Sequence, residues 1–187
     1  MRIILLGAPG SGKGTQATLL RDRMNLVHIS TGDLLRAARA AGTPLGLKAK
    51  EVMDRGELVS DDIVLSMLEE RLHQPDAQDG VIFDGYPRNF AQADALTCML
   101  AKMAMPLKAA ILLDVSHAVL LSRLAERAKK EGRADDTPEV IANRLKIYHD
   151  QTEPVVGYYQ QRGLLSKIAG EGSMEDIYAQ IAAVLKN

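Results

Sequence analysis

The chain has 187 residues, 23 of them basic and 24 acidic, so its net charge at neutral pH is near −1. A charge so close to zero argues against nucleic acid or a membrane as the main partner. The single cysteine, Cys98, excludes disulfide frameworks and cysteine-rich zinc sites, and as a small apolar side chain it is expected to be buried. The length suits one domain, and no apolar run reaches the ~20 residues that span a bilayer, which predicts a cytoplasmic protein.

The first predicted element is a strand over Arg2–Leu6, which leads through the glycine-rich segment GAPGSGKGT (7–15) into a helix. A strand, such a turn and a helix start form the phosphate-binding P-loop, in which Lys13 adds a mobile positive charge. Four glycines in eight residues favour this interpretation over a turn that merely tolerates glycine. Since Gly14 stands where a hydroxyl residue usually follows the lysine, direct ligation of Mg²⁺ by Thr15 stays open.

Apolar runs of strand length recur along the chain. They lie at Val27–Ser30, where the signal is weaker, and at Val81–Asp84, Ala109–Val115 and Leu164–Ile168. Continuous apolar character suits strands that are covered on both faces, and helical stretches between such strands are typical of right-handed βαβ units. The sequence therefore predicts an α/β fold built on a parallel sheet.

Two segments fit this alternation poorly. Residues 30–59 hold short helical pieces broken at Gly42 and Gly56, without a strand signal, and residues 126–136 are almost wholly charged or small. Neither segment can bury much apolar area, so both are candidates for mobile flaps over a site. For residues 126–136 a solvated turn between two helices is an equally good alternative.

A second motif, DGYPR, follows the strand that ends at Asp84. Ligands of doubly wound sheets gather at the carboxyl ends of the strands, where Asp84 can hold Mg²⁺ through water or act as a turn residue. Gly85 and Pro87 force a turn that aims Arg88 from a fixed position, and Gln92 lies one helical turn beyond it. A guanidinium and an amide at this spacing suit a phosphate and a base edge respectively.

Further arginines are spread over the rest of the chain. Arg36 alone is equally well explained as a surface arginine, and each of the others alone is better explained as a solvated surface charge than as a ligand. Together with Lys13 and Arg88 they give seven cations, enough to hold two polyphosphates, as phosphoryl transfer requires. The arginines concerned are Arg36, Arg123, Arg127, Arg133 and Arg144.

Several longer motifs stand in a fixed order along the chain: GAPGSGKGTQ (7–16), STGDLLR (30–36), GELVSDDIV (56–64), FDGYPR (83–88), GRADDTPEVIANRL (132–145) and TEPVVGYY (152–159). On these motifs the chain resembles the nucleoside monophosphate kinases, and among them the adenylate kinases of the short type. The resemblance covers essentially the whole chain. It implies one P-loop kinase domain over 1–187, a three-layer α/β sandwich around five parallel strands, with an AMP-binding flap at 30–59 and a short lid at 126–136.

The resemblance also implies roles for individual residues. Those that match the ATP site are Gly10, Ser11, Gly12, Lys13, Gly14, Thr15, Arg127 and Gly172. Those that match the AMP site are Thr31, Arg36, Glu57, Leu58, Val59, Gly85, Tyr86, Pro87, Arg88, Gln92, Arg133 and Arg144. The catalytic positions, which supply charge around the phosphates, are Lys13, Arg36, Arg88, Arg123, Arg133 and Arg144. Because the short lid lacks the cysteines of zinc-binding lids, no structural zinc is expected.

The implied reaction is reversible transfer of a phosphoryl group from Mg·ATP to AMP, giving two ADP, by a monomer whose partners are ATP, AMP and ADP. UMP/CMP kinase relatives usually carry Ala and Asn at the positions of Thr31 and Gln92, so both positions favour the adenylate type. A nucleotide-dependent switch or binding module is the alternative from another class, and it would not need a second phosphate site. The reaction requires no acid–base residue, and all four histidines are expected to be structural or solvated.

Overall fold

The structure, a computed structural model, describes residues 1–131 and 137–186. The strands of its sheet are β1 (Arg2–Leu6), β2 (Val27–Ser30), β3 (Val81–Asp84), β4 (Ala109–Asp114) and β5 (Leu165–Ala169). Each lies where an apolar run predicts a strand. The predicted bounds of β4 and β5 differ by one residue from those observed, because β4 ends at Asp114 and β5 begins at Leu165.

Helices separate the strands along the chain. They are α1 (Lys13–Met24), α2 (Thr31–Ala40), α3 (Pro44–Asp54), α4 (Asp61–Leu72), α5 (Phe90–Lys102), α6 (His117–Glu131), α7 (Pro138–Ile147), α8 (Val155–Gln161) and α9 (Met174–Lys186). A 3₁₀ turn covers Pro75–Gln78, and a π-helical turn covers Tyr148–Thr152. Residues 126–131 continue α6, so the first part of the predicted lid is helical. Among these described helices, none has both the length and the apolar character needed to cross a bilayer.

Side-chain caps fix where several helices begin. At the start of α2, Ser30 Oγ accepts a hydrogen bond from the Asp33 N–H at 3.2 Å. Ser173 accepts one from the Asp176 N–H at 3.1 Å beside α9, and Thr137 caps α7 in the same way. A side-chain cap of this kind typically contributes ~1 kcal/mol. Because Ser30 also ends β2, α2 leaves the sheet directly at the carboxyl edge.

All the strands run parallel, in the order β2-β3-β1-β4-β5. β1 is central, with β3 and β2 on one side and β4 and β5 on the other, and such a reversal of order opens a crevice at the carboxyl ends. The register aligns Ser30 with Asp84, so the start of α2 lies beside the DGYPR turn. The P-loop leaves β1 at the same edge.

Successive side chains of β1 enter two apolar clusters on opposite faces of the sheet. Ile3 and Leu5 pack with residues of α1 and α9, whereas Ile4 and Leu6 pack with residues of α4, α5 and α8. None of the four is more than 4% exposed. Burial on both faces explains the continuous apolar runs and confirms the three-layer α/β sandwich with five parallel strands.

The expectation that Cys98 is buried is wrong. Cys98 is exposed on α5. The buried positions of that helix include Ala93, Leu96 and Leu100, which recur at helical spacing along one face. Cys98 lies off this face, so its apolar character does not bring it into the core.

Candidate active site

A cavity of about 770 Å³ lies at the carboxyl ends of the strands. The sequence-predicted residues in its walls are Gly10, Ser11, Gly12, Lys13, Gly14, Thr15, Arg36, Leu58, Asp84, Gly85, Tyr86, Pro87, Arg88, Arg123, Arg127, Arg144 and Gly172. A cavity of this size suits a small-molecule ligand. Arg36 and Arg88 line the same walls as Lys13, so the two predicted anion sites face one space.

A smaller cavity of about 60 Å³ shares Arg36, Gly85 and Arg88 with the larger one. Its walls also hold other residues that the resemblance places at AMP, and these are Thr31, Glu57, Leu58, Val59, Tyr86, Gln92 and Arg144, whereas Pro87 lines only the larger cavity. The structure therefore brings the predicted AMP residues together beside the P-loop cavity. Arg133 is the exception, because it lies outside the described residues.

The P-loop lies close against α6. Gly10 and Gly12 adopt φ values of +85° and +95°, which favour glycine. A Cβ at Gly10 would stand 2.9 Å from Leu124 Cγ and 3.0 Å from the carbonyl oxygen of Leu120. Only a residue without a side chain fits between the loop and the helix at this point.

Lys13 opens α1 and folds back over the loop that precedes it. Its Nζ donates hydrogen bonds to the carbonyl oxygens of Gly7 at 2.7 Å and Ala8 at 3.0 Å. Burial lowers the pKa of the Lys13 ammonium, the Asp84 charge opposes this, and neighbouring arginines add to the lowering, so that the pKa is about 8. The charged form of Lys13 is therefore disfavoured in this position, and an additional negative charge in the cavity would stabilise it.

Asp84 ends β3 and is only 9% exposed. Its Oδ2 lies 3.2 Å from Nε2 of His28. Burial would raise the pKa of Asp84, but the hydrogen bond with His28 and the charge of Lys13 hold it below the ordinary value. An ionised carboxylate in this wall fits a hydrated Mg²⁺, which keeps most of its waters and takes one or two carboxylates rather than a protein cage. The described residues contain no group of three or more acidic, histidine or cysteine side chains arranged to hold a metal.

Arg88 is held by its own turn. Its Nε donates to the carbonyl oxygen of Gly85 at 2.7 Å, and the same oxygen accepts from Thr31 Oγ1 at 2.9 Å. Gly85 adopts φ +78°, a conformation that favours glycine. On α2, Arg36 donates to Asp33 Oδ1 at 2.6 Å. The two arginines thus reach one cavity from separate elements.

Gln92 is 2% exposed, and both polar atoms of its amide are hydrogen-bonded. Its Oε1 accepts from the Arg88 N–H at 2.7 Å, and its Nε2 donates to Asp61 Oδ1 at 2.7 Å. Asn89 Nδ2 donates to both carboxylate oxygens of Asp61, at 3.1 and 3.2 Å. The predicted base-recognition amide is therefore part of a network that begins at the start of α4.

The three predicted arginines of α6 and α7 that the structure describes also line the large cavity. Arg123 and Arg127 lie on α6 and both line the cavity, as expected of residues on one helix face. Arg123 Nη1 donates to the carbonyl oxygens of Gly170 at 3.0 Å and Ser11 at 3.4 Å, which joins the P-loop to the loop after β5. Arg144 lies on α7, as predicted, and faces the same cavity.

Among the cavity residues that have no role in the sequence analysis, His28 and Thr152 contact predicted site residues. His28, expected to be structural or solvated, contacts Asp84, and its position near the carboxyl end of β2 was the available signal. Thr152 Oγ1 donates to the carbonyl oxygen of Arg88 at 2.8 Å from the π-helical turn at Tyr148–Thr152. π-Helical turns often occur at functional sites, but no sequence pattern predicts where one forms.

A parallel sheet with a P-loop at its central strand, and cationic side chains on both sides of one cavity, defines a P-loop nucleotide-binding protein. A family model described as adenylate kinase matches residues 5–164. An adenylate kinase of Stenotrophomonas maltophilia (strain K279a) is 58% identical over 186 residues, which is 100% of both chains. Adenylate kinases of Xanthomonas oryzae pv. oryzae (strain MAFF 311018) and Xanthomonas campestris pv. campestris (strain 8004) are 58% and 57% identical over 185 residues, 99% of each chain. The chain therefore belongs to the adenylate kinase family, and it is an enzyme of the kinase class, as the sequence resemblance predicts.

Proposed function

We propose that the protein transfers the γ-phosphoryl group of Mg·ATP reversibly to AMP, which gives two ADP. The observation that carries this proposal is the shared cavity, in which Lys13 of the P-loop and the acceptor-side arginines Arg36 and Arg88 line the same walls. A protein that only hydrolyses or senses a triphosphate has no use for the second anion site. The relatives, all named adenylate kinases, support the same reaction.

In the proposed reaction an oxygen of the AMP phosphate attacks the γ-phosphorus in line, so no covalent nucleophile is required. The chain contributes position and charge. Lys13 and the arginines of α6 neutralise the donor phosphates, while Arg36 and Arg88 hold the acceptor phosphate. Arg133 and Arg144 are proposed to bridge the two. Asp84 would hold Mg²⁺ through water, and the ion would supply further positive charge at the ATP phosphates.

The donor and acceptor are proposed to occupy different parts of the cavity. We assign ATP to the P-loop residues from Gly10 to Thr15 with Arg127 and Gly172, and AMP to the walls shared with the smaller cavity. Residues 30–59 would close as a flap and residues 126–136 as a lid, which excludes the water that would otherwise accept the phosphoryl group. A monomeric state and a cytoplasmic location stay predictions of the sequence.

The test mixes the protein with ATP and, in separate reactions, AMP, UMP or CMP, and follows ADP and free phosphate. We expect fast ADP formation that depends on AMP and far less with either pyrimidine nucleotide. A preference for UMP or CMP would instead indicate a UMP/CMP kinase. Slow phosphate release that does not depend on AMP would indicate a nucleotide-dependent switch.

A matched pair of variants connects the test to the second anion site. Arg88→Met should lower AMP-dependent ADP formation by about 10²–10³-fold, because it removes one of the cations at the acceptor phosphate. Arg162→Met is the control, since Arg162 is exposed and stacks on Tyr158 outside the cavity. Equal activity of the two variants would count against the acceptor site.

A further inference from the structure

Asp61 accepts a hydrogen bond from Gln92, a wall residue of the smaller cavity, although 31 positions separate the two in the chain. Asp61 opens α4 and accepts hydrogen bonds from two amides, those of Gln92 and Asn89. Its charge is also felt at Tyr86, where burial and then the Asp61 carboxylate raise the pKa of the hydroxyl. The carboxylate therefore acts on two residues of the cavity wall, Gln92 and Tyr86, and not only as a charge at a helix start.

The two partners of the Gln92 amide determine which way it points. A backbone N–H can only donate, so the Arg88 N–H must meet the amide oxygen, and a carboxylate only accepts, so Asp61 must meet the amide NH₂. Turning the amide over would place its oxygen against the carboxylate and its NH₂ against the N–H of Arg88. Gln92 is 2% exposed, so water cannot compensate for either mismatch.

The Asn89 amide is also fixed in one orientation, so it cannot turn to release Asp61. Its Oδ1 accepts from the Gln92 N–H at 2.8 Å as the cap of α5, which leaves its Nδ2 to donate to Asp61. Asp61 is therefore held by one amide while it orients the other. After these contacts Gln92 retains one N–H and one oxygen lone pair, and Gln92 lines the smaller cavity.

A fixed donor and acceptor distinguish purines by the group at position 6. A 6-aminopurine presents an acceptor at N1 and a donor at the amino group, whereas a 6-oxopurine presents a donor at N1 and an acceptor at O6. An amide that can turn over pairs with both, but an amide held in one orientation pairs with only one of them. We propose that Asp61 is a specificity-determining residue that holds the Gln92 amide in the orientation for a 6-aminopurine nucleotide and against a 6-oxopurine nucleotide. This inference rests on the proposed function, because it assumes that the acceptor base reaches Gln92.

The test compares AMP with inosine monophosphate, whose base differs at position 6 and in the proton on N1. kcat/KM for each acceptor is measured with ATP as donor for the wild type, Asp61→Ala and Asp62→Ala. Asp62 is the matched control because it is exposed and also lies in the first turn of α4, so its loss removes the same charge from the helix start. Isothermal titration with each monophosphate gives a second readout that does not depend on turnover.

In Asp61→Ala we expect the ratio of kcat/KM for AMP to that for inosine monophosphate to fall at least tenfold, with the ratio of Asp62→Ala within twofold of the wild type. General damage to the site would lower kcat/KM for both acceptors by the same factor and leave the ratio unchanged. That result would overturn the inference. If Asp61→Ala does not fold, Asp61→Leu, which is similar in size and cannot accept a hydrogen bond, should shift the ratio in the same direction, and an unchanged ratio in that variant would equally overturn the inference. A wild type that converts no AMP would overturn the proposed function itself, which is a separate outcome from an unchanged ratio in an active enzyme.

Discussion

Asn143 Nδ2 donates a hydrogen bond to the carbonyl oxygen of Arg55 at 2.6 Å, which ties α7 to the end of the proposed flap. Beside this bond Gly56 adopts φ +70°. A Cβ on Gly56 would stand 2.9 Å from Arg144 Cγ and 3.0 Å from the carbonyl oxygen of Val140. The flap therefore packs so closely on α7 that its position and that of Arg144 depend on each other.

Gly56→Ala should separate the flap from α7. The new methyl group meets backbone at Val140, which cannot move aside as a flexible side-chain end would. We expect the KM for AMP to rise about tenfold, corresponding to ~1.4 kcal/mol of lost binding, and the KM for ATP to change much less. Steady-state kinetics with each substrate varied in turn measure this.

Gly42→Ala is the matched control for that variant. Gly42 adopts φ +65°, so alanine there carries a similar backbone penalty of ~1–2 kcal/mol, but a Cβ on Gly42 would meet no atom within 4 Å. Gly56→Ala should therefore lose at least as much thermal stability as Gly42→Ala, and only Gly56→Ala should weaken AMP binding. An equal rise in KM for AMP in both would show that backbone strain, and not the contact with α7, is responsible.

Lys13→Met should impair catalysis while leaving the stability of the fold nearly unchanged. We expect kcat to fall by about 10²–10³-fold or more, because a preorganised charge at the transferred group is lost. The change in thermal stability should be small, since the variant exchanges a desolvated charge for an apolar side chain of similar length. Coupled-assay kinetics and thermal unfolding followed by circular dichroism measure the two effects. A normal kcat would refute the role assigned to Lys13.

The lowered pKa of Lys13 also predicts how stability depends on pH. The pKa is about 8 in the folded protein against an ordinary value of 10.5, so between these limits the unfolded chain binds more protons than the folded one. The free energy of unfolding should then increase with pH in this window, and below pH 8 the contribution of Lys13 should be constant. The difference in unfolding free energy between wild type and Lys13→Met should therefore shift in favour of the wild type from pH 8 to 10.5. Chemical denaturation at several pH values measures it, and a flat difference would contradict the assignment.

Sequence patterns predict those parts of the site that are built from consecutive residues. The strands could be located because strands buried on both faces leave continuous apolar runs, and the P-loop because its glycines and Lys13 act within one turn. The partners His28 and Asp84 are 56 positions apart, and only the strand register brings them together. Asp61 meets Gln92 for a similar reason, since the packing of α4 beside the start of α5 has no local sequence signature. Cys98 was misassigned because burial depends on the face of the helix as well as on the residue type.

Asp84→Asn should raise the Mg²⁺ concentration needed for half-maximal activity by tenfold or more. The change keeps the shape of the side chain but removes the charge that fits a hydrated Mg²⁺. Asp114→Asn is the control, because Asp114 also ends a strand but is exposed and paired with Lys167 at 2.9 Å. Magnesium titrations of both variants, with nucleotide held constant, measure the effect. Similar requirements in the two variants would show that Asp84 has no part in holding the metal.

Thr152→Val should weaken binding of the acceptor through its effect on Arg88. Valine has the shape of threonine but cannot donate to the Arg88 carbonyl oxygen, which now accepts at 2.8 Å. Losing one hydrogen bond of this kind costs ~0.5–1.5 kcal/mol, so kcat/KM for AMP should fall about three- to tenfold while the KM for ATP stays close to that of the wild type. Thr97→Val is the control, since Thr97 loses a hydroxyl that contacts Tyr158 at 3.0 Å away from the cavity. If Thr97→Val lowers kcat/KM for AMP as much as Thr152→Val does, the effect comes from general stability and the π-helical turn does not position Arg88.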